Sequence, residues 1–426
     1  MKILSANYVL PVSSDPITDG AVAIDGEQIL AVGKAAELLA AFPNIEHEDF
    51  GEAAILPGFV NCHSHLEITS MRGYLDDVEH DFTAWLLKLT AARAKLSPDK
   101  IEAAATAGAY EGARAGVTCF GDIGRFGQAG LAALTATGLR GVLFQETEFS
   151  PDDRTASEDF GRLEAKFLYL RKRETDLVKV GISPHAPYTV SPKLFERIAD
   201  FALAEDVRVS IHTAESGDET ELMTTGTGFF SNHYEKFGIE WNSPCCSPIE
   251  YLERTGILKT RPLLVHCVTA SDNDISIIAA TGSSIAHCPK SNAKFGHGYA
   301  PFEKFLDAGI SVGLGSDSVA SNNICDLLEE SRFAVLAARN SAQRNRFISA
   351  KEAIEVSTLG GAKALGLDNL IGTLEAGKQA DLAVVSLVEP AQKPVNDVCA
   401  ALVFSSNGRD VLMSMVAGNE IFRGDK

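Results

Sequence analysis

The sequence predicts an α/β protein: a (β/α)8 TIM-type barrel carrying a small β-sandwich assembled from both chain termini. Three observations predict it. Short apolar strand candidates alternate with helical stretches through the middle of the chain, the rhythm of successive βα units. Their count is eight, the number that closes such a barrel. Strand-like alternation without long helical patterns occupies both ends of the chain.

Residues 2–35 alternate apolar and polar positions with Gly and Asp punctuation, as in Ala21-Val22-Ala23-Ile24-Asp25-Gly26. That pattern reads as a small antiparallel unit. Helical spacing follows over 35–42. Barrel strands are expected at 54–60, 116–120, 141–145, 178–183, 207–212, 263–266, 284–287 and 311–315. Helical patterns over 99–115, 193–205, 272–280 and 301–308 lie between them, and two more follow over 327–339 and 350–365. Strand character returns at 381–387 and 411–417, with Gly377 and Gly418 as turn signals. The expected division is a composite β-sandwich domain from residues 1–55 plus 375–426, and a metal-dependent catalytic barrel over 56–374.

The chain has 426 residues, 45% hydrophobic and 22% charged, an ordinary globular composition. A net charge of −19 argues against nucleic acid or an anionic membrane surface as partner. No apolar run reaches the ~18 residues of a membrane span. Met1-Lys2-Ile3-Leu4-Ser5 runs into a strand pattern rather than a signal sequence. Eight cysteines, two of them adjacent (Cys245-Cys246), form neither a disulfide framework nor a CxxC pair. Reduced, buried thiols in a cytoplasmic protein are the expectation.

Chemistry concentrates at strand ends. In Leu56-Pro57-Gly58-Phe59-Val60-Asn61-Cys62-His63-Ser64-His65, strand alternation puts His63 and His65 on one face. His212, His266 and Asp317 end three further strands, where barrel enzymes place their active groups. Each alone reads as a satisfied polar residue. Together they can converge on one ion through imidazoles and a carboxylate. Glu215, three residues past His212, can reach a metal-activated water and pass its proton to a leaving nitrogen. Its acidic neighbours Asp218, Glu219 and Glu221 read as a solvated loop. His266 would polarise the attacked centre or hold the hydroxide, and Asp317 would relay protons.

These runs, with His287-Cys288-Pro289-Lys290-Ser291-Asn292, Gly315-Ser316-Asp317-Ser318 and Gly372-Thr373-Leu374-Glu375-Ala376-Gly377-Lys378-Gln379-Ala380-Asp381, resemble the amidohydrolase superfamily. Nearest is its branch of metal-dependent deaminases acting on adenosine-like nucleosides. The resemblance implies one zinc, with iron or manganese as alternatives, on His63, His65, His212 and Asp317. It implies catalysis by Glu215 and His266, a nucleoside-like small-molecule substrate, and by analogy alone a homodimer. Two-metal relatives carry a bridging lysine at the end of the fourth strand; Ser183-Pro184-His185 stands there instead, which favours one metal. Glu67, with Phe82 and Trp85, resembles the branch that deaminates 6-aminodeoxyfutalosine in menaquinone synthesis. The alternatives are a methylthioadenosine, adenosylhomocysteine or adenosine deaminase, a guanine deaminase or a triazine chlorohydrolase.

For the substrate, His185 is expected to contact purine or ribose, Trp85 to cap the pocket, and Glu67 to receive a ring nitrogen or else orient Arg72. Arg125, Glu146 and Glu148 could meet ribose hydroxyls, with salt pairing at loop ends the preferred reading. His287 is expected to support the site from the next strand end. His233 and His297 are expected at an entrance, and Phe229, Phe230 and Phe295 along an apolar wall.

Overall fold

The computed structural model describes residues 1–236, 238–341 and 346–424; residues 425 and 426 of the expected C-terminal segment lie outside them. Sixteen strands are present among these residues: β1 (Lys2–Val9), β2 (Ile17–Asp25), β3 (Gln28–Lys34), β4 (Glu46–Asp49), β5 (Ala53–Pro57), β6 (Phe59–Ser64), β7 (Val117–Gly124), β8 (Arg140–Glu146), β9 (Val178–Ser183), β10 (Ser210–Thr213), β11 (Leu263–His266), β12 (Ser284–His287), β13 (Val312–Leu314), β14 (Leu382–Ser386), β15 (Val411–Val416) and β16 (Asn419–Arg423).

β6 to β9 and β10 to β13 form two four-stranded parallel sheets. A parallel bridge from Ile182 to Val209 joins them at one seam, and one from Ser64 to Asp317 joins them at the other. The eight strands thus close on themselves as predicted. Val60, Cys62, Cys119, Val142, Phe144, Val265 and Ala286 share an inner core with Ala362, Leu365 and Ile371. Those last residues come from a wedge at one end of the barrel. The helical pattern over 350–365 is broken there: helix Ala350–Glu355 passes through a wide π turn at Val356–Gly360 into Gly361–Ala364. A methyl group on Gly361 would stand 2.8 Å from Val60 Cβ. Only glycine lets the wedge lie this close to β6.

Both termini contribute to one eight-stranded sheet in the order β16-β15-β14-β5-β1-β2-β3, with β4 on β1. The turn between β2 and β3 reaches the residues leading into β14: Gln28 bridges to Gln379, and Ala380 N–H donates to Glu27 O at 2.7 Å. One face encloses Leu4, Val22, Ile24, Ile55, Leu382, Val384, Met413 and Met415 as a separate core. On the other face Ala54, Leu56, Ala383, Val385 and Val411 join the main core around the barrel.

The apolar run expected as a single strand at 54–60 is two strands. Ala53–Pro57 pairs antiparallel with β14, whereas Phe59–Ser64 pairs with β7. Pro57 and Gly58 mark the switch. Gly58 N–H donates to Asp381 O at 3.1 Å, and a side chain on Gly58 would stand 2.1 Å from Thr118 Oγ1. Barrel and terminal sheet are also tied by Arg140 of β8, whose buried guanidinium donates to both Asp381 oxygens at 2.7 and 3.0 Å and to Gln379.

Candidate metal centre and its cavity

The seam between β6 and β13 brings the donor groups together. Asp317 N–H donates to His63 O at 3.0 Å beside the Ser64–Asp317 bridge, so closing the barrel sets first-strand histidines against the last-strand carboxylate. Simple alternation does not describe β6. Asn61 lies opposite Phe120 and Ser64 opposite Asp122, three residues against two. A bulge of this kind bends the strand and re-aims its side chains at a barrel rim. His63 Nε2 lies 3.3 Å from Asp317 Oδ1, His65 Nε2 lies 3.6 Å from the same oxygen, and His65 Nε2 lies 3.3 Å from His212 Nε2.

The donor chemistry fits a divalent cation. His65 Nδ1 meets Ile123 O at 3.0 Å and His212 Nδ1 meets His185 O at 3.1 Å. A carbonyl only accepts, so each Nδ1 carries the proton and each Nε2 presents a lone pair. Two lone pairs facing each other at this range repel unless a cation lies between them. His63 is completely buried, with neither ring nitrogen hydrogen-bonded. Burial pushes the His63 and His212 imidazoles below the ordinary histidine range and His65 to about 4, keeping them neutral. Burial raises Asp317, but His63, His266 and His65 together outweigh it and hold the carboxyl well below the usual range. Three neutral imidazoles and one carboxylate are a zinc-type donor set, which also accepts iron or manganese. His266 belongs to a second group of close donors with His63 and Asp317, and His185 to a third with Glu146 and His212.

Supporting bonds fix the remaining atoms. Ser291 and Ser321 hydroxyls donate to Asp317 Oδ2 at 2.6 and 2.9 Å, leaving Oδ1 for the histidine cluster. Asn292 Oδ1 lies 2.9 Å from His266 Nδ1, and His266 Nε2 lies 3.6 Å from Glu215 Oε1. Glu215 is buried and its carboxyl is pushed up by burial, with His266 opposing. Glu219, expected on a solvated loop, is buried and accepts the Glu215 N–H at 2.8 Å. Ala214, His266, Cys267 and Asp317 all take positive φ, between 50° and 74°. Such conformations cost about 1–3 kcal/mol each and concentrate at functional sites.

The centre lies on the wall of a cavity of about 490 Å³. Phe82, Trp85, Leu86 and Phe230 supply an apolar side, and Arg93, Arg125 and Glu146 a charged one. Glu146 is buried, 3.9 Å from Arg93 Nη1 and 4.0 Å from His185 Nε2. Burial raises its carboxyl, but His185, Arg93, His65 and Arg125 together hold it low and anionic.

Of the expected substrate contacts, His185 and Trp85 line the cavity, with His185 Nδ1 at 2.8 Å from Thr189 Oγ1. Glu67 does not. Its carboxylate is buried and accepts the N–H groups of Phe126 at 3.1 Å and Gly127 at 2.7 Å, so its oxygens are already engaged by main chain. It does not orient Arg72 either, which pairs with Glu111. Glu148 pairs with Lys166 at 3.0 Å, as a loop-end salt pair should, whereas Glu146 and Arg125 face the cavity. His287 is buried and stacked on Phe302. Phe230, Phe295 and His233 line the cavity, while His297 lies beside Glu215 instead of at an entrance. Sequence reasoning missed Arg93, Asn292, Ser291 and Ser321. Arg93 ends the helix Phe82–Arg93, two turns beyond Trp85, and that helical spacing is the signal that could have found it.

The amidohydrolase family model matches residues 54–421, and a bacterial imidazolonepropionase-like composite domain matches residues 20–44. A 5-methylthioadenosine/S-adenosylhomocysteine deaminase of Moorella thermoacetica is 33% identical over 96% of this chain and 91% of its own length. The zinc-bound crystal structure of an adenosine deaminase from Xanthomonas campestris superimposes with a TM-score of 0.87 at 29% identity, covering 98% of this chain and 92% of that one. Helicobacter pylori aminofutalosine deaminase, solved with methylthio-coformycin, shares the fold with a TM-score of 0.82 at 24% identity, covering 99% of this chain and all of that one.

Proposed function

The chain belongs to the amidohydrolase family, and on that premise we propose that it is a hydrolytic deaminase of adenosine-like nucleosides, with His63, His65, His212 and Asp317 holding one zinc. The observation that carries this reading is the pairing of buried Glu215 with His266, 3.6 Å apart, beside the donor cluster in a nucleoside-sized cavity.

A divalent ion in that donor set supplies Lewis acidity, lowering the pKa of a water towards about 7. Glu215 takes a proton from the attacking water and delivers it to the ring nitrogen beside the amine-bearing carbon. Burial raises its carboxyl above the ordinary glutamate range, the direction that favours a proton carrier. His266, with Nδ1 fixed by Asn292, presents Nε2 to the same point and orients the water. Asp317 keeps Oδ1 turned inward to accept the second proton, which departs with ammonia. The balance is one water consumed, one C–N bond broken, and a ring carbonyl and ammonia formed.

The cavity's charged side supports a substrate whose 5′ substituent carries a carboxylate. Arg93 and Arg125 can bind that carboxylate. The amino-acid end of S-adenosylhomocysteine has such a carboxylate, and methylthioadenosine has none. A second reading, 6-aminodeoxyfutalosine and hence menaquinone synthesis, is favoured by the aromatic wall of Phe82, Trp85 and Phe230 beside the arginines, which suits an aryl carboxylate. His185 would contact purine or ribose in either case. The test compares ammonia release from adenosylhomocysteine, 6-aminodeoxyfutalosine and methylthioadenosine by parent and Arg93→Met proteins. The expected result is a KM rise of about tenfold or more for the carboxylate-bearing substrate and none for methylthioadenosine, about 1.4 kcal/mol being tenfold. Methylthioadenosine as the preferred substrate of the parent would contradict the carboxylate assignment.

A further inference from the structure

Gly296 and Gly298 flank His297, and both adopt positive φ, +70° and +106°, which glycine reaches without steric cost. The turn they make follows the helix Pro289–Lys294 and folds His297 back towards Glu215. His297 N–H donates to Asn292 O at 2.9 Å, and the side chain of the same asparagine fixes His266 Nδ1. One residue therefore orients two imidazoles that converge on one carboxylate oxygen. His266 Nε2 lies 3.6 Å and His297 Nε2 3.8 Å from Glu215 Oε1.

The His297 side chain is 7% exposed, and its Nε2 is buried without a hydrogen-bond partner. The ring packs edge-on against Phe82, centroids 4.7 Å apart, with Phe295 at 5.3 Å. An apolar ring would serve that packing as well, and leaving the nitrogen unsatisfied costs about 1–3 kcal/mol. The groups facing Glu215 are His266, His297 and Asp317, with Glu219 bonded to its main chain.

We propose that His297 is a positioning residue for Glu215: its Nε2–H closes onto Oε1 when substrate fills the cavity and holds the carboxylate in line between water and ring nitrogen. The present separation exceeds a hydrogen bond, as contacts that tighten only in the substrate complex often do. The inference rests on Glu215 as the proton carrier; if Glu215→Gln keeps full turnover, that reading fails whatever His297 does.

The experiment measures kcat, KM and bound zinc for His297→Ala, His297→Gln, Glu215→Gln and the His297→Ala/Glu215→Gln double variant, on the best substrate of the parent. The expected result is a kcat loss of about 10²-fold in His297→Ala, with KM and zinc content close to the parent. Glutamine, whose amide nitrogen reaches the Nε2 position, recovers most of it. In the Glu215→Gln background His297→Ala costs little more, since residues acting as a unit are non-additive. Unchanged kcat in His297→Ala, an equal loss in the Glu215→Gln background, or a loss that tracks missing zinc would each overturn the proposal.

Discussion

The proposed reaction requires Glu215 to hold a proton and release it within one turnover, and the carboxyl is buried with His266 Nε2 3.6 Å from Oε1. Glutamine keeps its shape and removes its basicity. Glu215→Gln is expected to retain zinc and to lose turnover by about 10²- to 10⁴-fold, measured as ammonia release alongside metal analysis; unimpaired turnover with metal present would refute the role. Ser291 and Ser321 act through Asp317. Their joint replacement by alanine leaves the carboxylate to rotate and is expected to weaken zinc by about 10- to 100-fold, read by competition with a chelator. At this scale the sequence was informative where a polar residue ends an apolar run, as for His212, Glu215, His266 and Asp317. It gave no sign of an orienting group carried by a helix or loop, as with Asn292, Ser291 and Ser321. Glu67 misled because a glutamate next to a ligand gives no sign that two main-chain N–H groups already occupy it.

Strand positions were legible from apolar runs and Gly or Pro breaks, yet pairing partners were not. The run from Ala53 to Val60, with its Pro57-Gly58 break, reads as one strand and serves two sheets, because the decision lies in the close approach of Gly58 to Thr118 rather than in hydrophobicity. The β6 bulge is invisible for the same reason: the His-x-His spacing looks the same with or without an extra residue against β7. The element that locks terminal sheet to barrel is the buried Arg140–Asp381 pair. Replacing Asp381 alone by alanine strands a buried guanidinium and is expected to cost about 3–5 kcal/mol, seen as a lower urea midpoint. Replacing both by apolar residues of similar volume should cost much less. Equal losses in the two variants would show that the pair is not what holds the sheets.

For the molecule as a whole, the eight-strand rhythm and the joining of the termini were readable, whereas the closure that sets His63 against Asp317 exists only in three dimensions. No helix among the described residues is long and apolar enough to cross a membrane. Burial raises Glu219 and Glu330 to about 8 each. Between pH 6.5 and 8 the folded chain holds protons there that the unfolded chain has lost, so stability of the metal-free protein falls as pH rises. The slope is up to about 1.4 kcal/mol per pH unit for each proton retained. The buried histidines contribute with the opposite sign only below their unfolded value of about 6.5. Urea unfolding at pH 6.5 and 8.0 checks this, and Glu330→Gln should flatten the slope. With zinc in the proposed donor set of the folded chain, saturation at about 100 times Kd should add about 2.7 kcal/mol to stability.

The most direct measurement is ammonia release from zinc-loaded protein across adenosylhomocysteine, 6-aminodeoxyfutalosine, methylthioadenosine, adenosine and guanine, with Glu215→Gln as control. The expected result is rapid release from an adenine nucleoside bearing a carboxylate, abolished by chelation, restored by stoichiometric zinc and lost in the control. No release from any nucleoside by fully zinc-loaded protein would contradict the deaminase assignment.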